Sequence, residues 1–371
     1  MYRGDVKPAY RMLLFRYLRE RKWPTVLGYG LYIAFMASGY YYTVTFVQLG
    51  LLDLGTRHVG LSRTAVSWWM AGLALLTVAV AVGVGVAFDR RGMGASLEGK
   101  LRLLFGVILV QVLLTAVAPH IRSVAGFGVW IVAGGIALGV GVPVSFGLIV
   151  HLIPARDRGY VAAAITAGAY FAANLYPLEW RIETFSEVML GAMIPGLLVL
   201  GWLASGRSGL TAALASQHER FGTGRFCHPD PVSLRSFTFL TLLALTFAVF
   251  FVDSLGFLRI IEEPVLILSS WGSPAFGDHL FLAVVHVLGA IVAGVFYRNF
   301  HRRTLYLFIF GLFSLSHLLY TFDLRLAQLF PTLAGGPGLV EPRRSALAGS
   351  VYTTLNFAIW PDLSTVHTIA P

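Results

Sequence analysis

Long apolar stretches recur along the whole chain, and they constrain its fold more than any other feature. Many run for 18 residues or more with hardly a charged side chain, which is the length at which a helix crosses the hydrocarbon core of a bilayer. Only 12% of the 371 residues are charged, whereas a soluble domain has about 25%. The stretches are continuous rather than alternating, which argues against a membrane β-barrel. The sequence therefore predicts an all-α integral membrane protein.

Ten membrane-spanning helices can be placed, with boundaries good to about 2–4 residues. They cover residues 25–49, 65–88, 101–117, 124–153, 160–176, 185–204, 237–257, 280–297, 304–320 and 346–360. These spans predict four regions along the chain. They are a basic N-terminus (1–24), a first half of six helices (25–204), a linker (205–236) and a second half of four helices (237–371).

Lysine and arginine are spread unevenly over the loops between the spans. Most of the 28 basic residues fall in the N-terminus, the linker and the loops on the same side, whereas Asp and Glu divide almost evenly. A bias in basic residues alone is what the positive-inside rule describes. The net charge of +10 therefore reflects orientation in a lipid bilayer rather than nucleic-acid binding. We predict a multi-pass protein of the plasma membrane with both termini, and the linker with Cys227, on the cytoplasmic side.

A charged turn interrupts the apolar sequence between the second and third spans, where residues 85–94 read GVAFDRRGMG. Physical chemistry alone interprets it as a short solvated turn, in which glycines allow the bend and Asp89 caps a helix N-terminus. A similar stretch, GVFYRNFHRR, begins at Gly294 after the eighth span. The two halves of the chain are thus organised alike, as in secondary transporters built from two six-helix halves.

The turn resembles the loop motif of the major facilitator superfamily, G-x-L-A-D-R-x-G-R-K, which joins that family's second and third helices. The matching positions are Gly85, Asp89, Arg90 and Gly92. Residues 154–159, PARDRG, also resemble the family's connection between helices four and five. The resemblance implies a two-half helical bundle that transports small solutes by rocking one half against the other, with the four matching residues in a gating loop.

Two departures from the family's pattern stand out. Met93 and Gly94 replace the final basic pair of the motif. The family has twelve spans, whereas the tenth span here is followed by only eleven residues. We therefore expect a chain truncated after ten of twelve helices. The alternative is that a partner fills the place of the last two.

The resemblance implies that the first, fourth, seventh and tenth helices line the solute path. Polar residues on two of these spans are candidates to face it, namely Tyr41, Gln48, Tyr352 and Asn356. The tyrosines at 40–42 cannot share one helix face, so they also fit an aromatic belt near the outer interface. Threonines 353 and 354 can bond back to their own helix, which is the simpler interpretation for them.

Two residues within spans are candidates for coupling transport to protons or to another ion. Asp253 lies inside the predicted seventh span, and an acid within the membrane is a functional candidate by default. His286 lies on the eighth span, which borders the interface between halves in the family, and His317 is better read as a core residue. For Asp253, an ordinary position at the interface is an equal alternative.

Other functional classes lack support in the sequence. No hydrolase, nucleotide-binding or zinc motif is present, and one thiol with scattered histidines falls short of a four-ligand metal set. We therefore expect no enzyme activity, no cofactor and no metal. The alternative function is a membrane scaffold or assembly factor that has the same fold and transports nothing.

Overall fold

The computed structural model describes residues 12–92, 96–176, 181–226, 275–299, 304–312 and 340–363, with scattered positions at 237–248 and 314–315. Helices dominate these residues, and no strand occurs among them, which confirms the predicted all-α class. The labelled helices are α1 (Leu13–Arg19), α2 (Trp23–Tyr42), α3 (Arg63–Arg90), α4 (Leu97–Val117), α5 (Val124–Gly147), α6 (Arg158–Asn174), α7 (Ile182–Ala204), α8 (Gly209–Ala215), α9 (Gln217–Phe221), α10 (Phe276–Asn299) and α11 (Val340–Leu363).

Five of the described helices are long and apolar enough to cross a membrane. They are Arg63–Arg90, Leu97–His120, Val124–Leu152, Ile182–Ala204 and Phe276–Asn299, and they match the predicted second, third, fourth, sixth and eighth spans. Helices α2, α6 and α11 occupy the predicted first, fifth and tenth spans. Only scattered positions of the predicted seventh span, 237–257, are described, whereas residues 304–312 of the predicted ninth span, 304–320, are helical. The chain is a multi-pass membrane protein.

Serine side chains begin several of these helices. The hydroxyls of Ser62, Ser96 and Ser123 accept hydrogen bonds from backbone N–H groups three residues later, at 3.2, 2.9 and 3.1 Å. Such caps satisfy donors that a helix leaves unpaired at its first turn. Helix α7 is capped from elsewhere, because Asp53 Oδ2 accepts the backbone N–H of Ile182 at 2.8 Å. Local sequence therefore fixes the start of three spans, and a tertiary contact fixes a fourth.

The charged turn at residues 85–94 differs from the sequence interpretation in two ways. Gly85 is buried inside α3 rather than in the turn. Asp89 lies in the last turn of α3, and Ser96 is the residue that caps α4, so the expectation that Asp89 caps a helix N-terminus in this turn is wrong. Gly92 does reverse the chain, with a φ of +63° that favours glycine,. Its N–H donates to the carbonyl oxygen of Asp89 at 3.1 Å.

The glycine-rich fourth span packs closely on the second. A Cβ added at Gly139 would lie 2.6 Å from Val80 Cβ and 2.8 Å from the carbonyl oxygen of Thr77, and one at Gly135 would lie 2.9 Å from Leu76. No side chain fits at such distances, so the glycines let α3 and α5 approach. The glycines of the fourth span therefore serve close helix packing.

The chain packs into two compact units. Unit 1 comprises Met1–Arg158, Leu178–Pro229 and Trp360–Pro371, and unit 2 comprises Gly159–Pro177 and Asp230–Ile359. The fifth span therefore packs in unit 2 with the eighth and tenth, although it belongs to the first half along the chain. The predicted division of the chain into two halves, joined by the linker 205–236, therefore stays a prediction.

Candidate functional site

Unit 2 holds a buried polar cluster within its membrane-spanning helices. His286 on α10 is 5% exposed, and its Nδ1 lies 2.6 Å from the Oγ of Ser350 on α11. The ring of Tyr170 on α6 stacks on His286 with centroids 4.1 Å apart, and its hydroxyl oxygen lies 3.2 Å from Thr353 Oγ1. Three helices thus each contribute polar groups to one place. We call Tyr170, His286, Ser350 and Thr353 the unit 2 cluster.

Glycines on the same helices leave room for this cluster. A Cβ at Gly289 would lie 3.1 Å from Ser350 Cβ and 3.0 Å from Leu347, and one at Gly349 would lie 3.8 Å from the hydroxyl of Tyr170. Helix α10 therefore approaches α11 closely one turn away from His286. The sequence had singled out His286, but not Tyr170 or Ser350, since a single hydroxyl in an apolar span gives no signal of its own.

The two candidates on α11 lie in different surroundings. Tyr352 is buried in an apolar cluster that includes Leu305, Tyr306 and Ile309. Asn356 is half-buried, and its Oδ1 is buried with no hydrogen-bond partner in the described part of the chain. At about 100° per residue, Asn356 lies between Tyr352 and Thr353 around the helix axis, about 40° from the first and about 60° from the second. A buried amide oxygen without a partner requires an explanation, and a bound solute or water would supply one.

The expected back-bonding of the two threonines on α11 is wrong for Thr354, whose buried Oγ1 has no partner among the described residues. Thr353 contacts the hydroxyl of Tyr170. Threonines do bond back to their own helix on the first span, where Thr43 Oγ1 donates to Gly39 O at 3.0 Å and Thr45 Oγ1 donates to Tyr41 O at 2.6 Å. These bonds fall where the first helix widens into a π-helical segment, Thr43–Gly50.

The remaining path candidates, Tyr41 and Gln48, are half-buried on either side of the start of this π-helical region. Their neighbour Tyr42 is buried, contacts Thr115 Oγ1 through its hydroxyl at 3.1 Å and stacks on Phe46. The tyrosines at 40–42 therefore do not share one environment. Short π-helical segments are frequent at functional sites, and this one was not foreseen from the sequence.

Unit 1 contains a buried arginine that the sequence registered only as a loop charge. Arg158 is 0% exposed. Its Nη1 donates to the carbonyl oxygen of Pro361, near the end of α11, at 3.0 Å. Its Nη2 donates to the carbonyl oxygen of Phe226, at the end of the described linker. One guanidinium therefore joins the start of α6 to the end of α11 and to the linker.

The preceding residue ties the same place to the N-terminus. Asp157 is buried, and its Oδ2 accepts hydrogen bonds from the hydroxyl of Tyr29 at 2.8 Å and from the backbone N–H of Leu14 at 3.2 Å. Close by in the fold, Lys100 is buried, and its Nζ donates to Gly147 O at 3.0 Å and lies 3.3 Å from His151 Nε2. The end of unit 1 that holds the linker is thus built on buried charges.

A cluster of charged side chains joins residues 53–58, which follow the first span, to the start of α7. Asp53, His58 and Glu183 each bring a ligand atom within 4.8 Å of the others. Arg57 donates to Asp53 Oδ2 at 2.9 Å and also to Glu183, and Arg122 contacts the ring of His58. Because a guanidinium already lies between the two carboxylates, a metal ion would have to displace it. The group is better understood as an ionic tie between helices.

Five residues named from the sequence lie outside the described residues, namely Met93, Gly94, Cys227, Asp253 and His317. Asp89 and Arg90 lie at the end of α3, half-buried and exposed respectively. The structure brings His286 and the polar side of α11 into one cluster in unit 2, whereas Tyr41 and Gln48 belong to unit 1.

The long apolar helices define the class, a multi-pass helical membrane protein. Its fold is that of the major facilitator superfamily. The solved structure of the proton:xylose symporter XylE bound to 6-bromo-6-deoxy-D-glucose matches with a TM-score of 0.59, covering 94% of this chain and 83% of that chain at 14% sequence identity. No family model and no curated protein matches the sequence significantly. The resemblance carried by residues 85–92 is confirmed at the level of the fold.

Proposed function

We propose that this protein is a secondary transporter that moves small solutes across the membrane by alternating access between its two helical halves. The observation that carries the proposal is the unit 2 cluster within a fold shared with XylE. Polar groups within a membrane are costly and are usually retained at substrate or ion pathways. A scaffold without transport would gain nothing from placing four of them at one depth.

The chemistry of the cluster favours an uncharged or hydroxyl-bearing solute. Its members offer hydroxyl and imidazole groups, which donate and accept hydrogen bonds without a fixed charge. The unpaired Oδ1 of Asn356, which lies about 60° from Thr353 around the axis of α11, adds an acceptor. The XylE structure contains a bromodeoxyglucose, so pentoses and hexoses are the first solutes to test.

The test is uptake of radiolabelled xylose, glucose and a panel of other small solutes into proteoliposomes, with and without a proton gradient. For the solute that is taken up, we expect His286→Leu to lower the initial rate about tenfold or more. One lost hydrogen bond of about 1.4 kcal/mol corresponds to that factor. His286→Gln, which keeps a side chain able to reach Ser350, should retain more of the rate.

Leu288→Ala is the matched control, because Leu288 lies on the same helix and is 56% exposed on its surface. An equal loss in Leu288→Ala and His286→Leu would remove the cluster from the mechanism. Absence of uptake for every solute, by protein that elutes as a folded species, would favour the scaffold alternative. We propose Asp253 and His286 as the groups that couple transport to protons. An equal rate of uptake with and without a proton gradient would contradict this.

Orientation is part of the same proposal, since the charge bias of the loops places the termini and the linker in the cytoplasm. Cys227 is the only cysteine and directly follows Phe226 in the linker. A membrane-impermeant maleimide should fail to label it in intact cells and should label it after lysis. Labelling from outside would reverse the topology. A variant with Cys227→Ser and a cysteine at Arg63, at the opposite end of α3 from Arg91, should label in intact cells.

A further inference from the structure

Helix α1 lies against unit 1 ahead of the first span, with one face held by the protein. Tyr17 is 1% exposed, its ring packs on Phe221 with centroids 5.3 Å apart, and its hydroxyl accepts a hydrogen bond from Arg225 Nη1 at 3.2 Å. The backbone N–H of Leu14 donates to Asp157 Oδ2 at 3.2 Å. These contacts fix the rotation of α1 about its axis, and therefore which side chains face away.

The outward face of α1 carries two exposed apolar side chains, and two more follow at the start of the first span. Phe15 is 57% exposed and Leu18 is 38% exposed, and at 100° per residue both lie away from Tyr17. Trp23 and Leu27, at the start of α2, are 55% and 51% exposed. Tryptophan is enriched where a span meets the headgroup region. The four side chains form an apolar strip that leads directly into a membrane-spanning helix.

Positive charge accompanies this strip, and a single carboxylate pairs with two of its four cations. Glu20 pairs with Arg16 and with Lys22, each at 2.6 Å. Hydrogen bonds from these two cations lower the pKa of Glu20 to about 2, so it stays ionised at neutral pH. Arg19 and Arg21 are exposed, and neither forms an ion pair within the described part of the chain. Two cationic side chains therefore remain available beside the apolar strip.

We propose that α1 and the start of α2 form a lipid-binding strip that lies in the membrane interface and selects anionic phospholipid headgroups. The strip consists of Phe15, Leu18, Arg19, Arg21, Trp23 and Leu27. Its apolar side chains enter the boundary between headgroups and acyl chains, as an interfacial amphipathic helix does. The arginines extend to the phosphates while their stems cover apolar surface. The strip is separate from the unit 2 cluster and acts whether or not a solute is carried.

The test uses the full-length protein with Cys227→Ser and Phe15→Cys, labelled at position 15 with a bimane fluorophore in phosphatidylcholine nanodiscs. Brominated phosphatidylglycerol or brominated phosphatidylcholine is added as a local quencher. We expect both lipids to quench, and phosphatidylglycerol to quench at lower mole fraction. Arg19→Gln with Arg21→Gln should weaken this preference about fivefold for each arginine, the factor that corresponds to one basic residue near an anionic surface.

Arg91→Gln with Arg207→Gln is the matched control, because it removes two other exposed arginines and the same net charge. It should leave the preference at position 15 unchanged. Absence of quenching by either lipid would show that the strip does not lie in the bilayer and would overturn the proposal. Equal quenching by the two lipids, or an equal loss of preference in the control, would overturn the selection of anionic headgroups by Arg19 and Arg21.

Discussion

Replacing Arg158 with alanine should lower the free energy of unfolding in detergent by about 2–6 kcal/mol. The guanidinium is fully buried and donates to two carbonyl oxygens, those of Phe226 and Pro361. Without it, both carbonyls are left buried and unpaired, which costs about 1–3 kcal/mol for each. Arg158→Lys should restore only part of the loss, because a single ammonium lacks the planar fork that serves two acceptors at once. Unfolding by denaturant, followed by intrinsic fluorescence, measures the difference.

The neighbouring Arg156→Ala is the control for charge in this turn. Arg156 is exposed, and removal of an exposed side chain usually changes stability by about 0.5 kcal/mol or less. If both variants lost the same stability, the effect would come from net charge and not from the buried hydrogen bonds. If neither lost stability, the role assigned to Arg158 in joining α6, α11 and the linker would be wrong.

Replacing Gly294 with alanine should lower the free energy of unfolding by about 1–3 kcal/mol, the usual cost of overpacking a tight interior. Helices α6 and α10 cross here with their backbones in contact. A Cβ at Gly294 would lie 2.8 Å from both the carbonyl oxygen of Gly159 and the Cβ of Ala163. A Cβ at Gly159 would lie 2.9 Å from the carbonyl oxygen of Gly294. Backbone atoms cannot rotate away, so the helices must separate, and Gly294→Leu should cost more.

Gly277→Ala is the matched control, because Gly277 lies on the same helix with nothing within 4 Å of its added Cβ. Alanine favours a helix over glycine by up to about 1 kcal/mol, so this variant should be unchanged or slightly more stable. Thermal unfolding in detergent compares the two variants directly. A similar fall in unfolding temperature for Gly277→Ala and Gly294→Ala would mean that the crossing of α6 and α10 does not require glycine at position 294.

Properties that reside in a continuous stretch of chain were predictable from the sequence. The apolar lengths predict the positions of the spans, and the labelled helices follow eight of them, with residues 304–312 helical within a ninth. Gly92 was expected to allow a bend, and its φ of +63° does so. Asp89 shows the limit of this reasoning, because a carboxylate in a turn can serve the helix before it or the helix after it. Only the structure places it in the last turn of α3.

The candidate site was predictable only in part. His286 could be named because a titratable group in an apolar span is conspicuous by itself. Its partners could not, since Ser350 and Tyr170 reach it only through the way three helices pack. Tyr352 and Asn356 show the same limit. Both are polar and four residues apart, yet one packs among apolar side chains and the other keeps an unpaired oxygen.

The sequence by itself determined that this protein is a helical membrane protein and where most of its spans fall. These follow from the length and polarity of each segment, because the bilayer acts on every segment separately. The tertiary structure alone decided that Gly294 meets Gly159 and that Arg158 donates to the carbonyls of Phe226 and Pro361. Every residue carries the same backbone carbonyl, so the sequence does not show which carbonyls Arg158 will reach. A glycine likewise does not show which distant residue will pack against it.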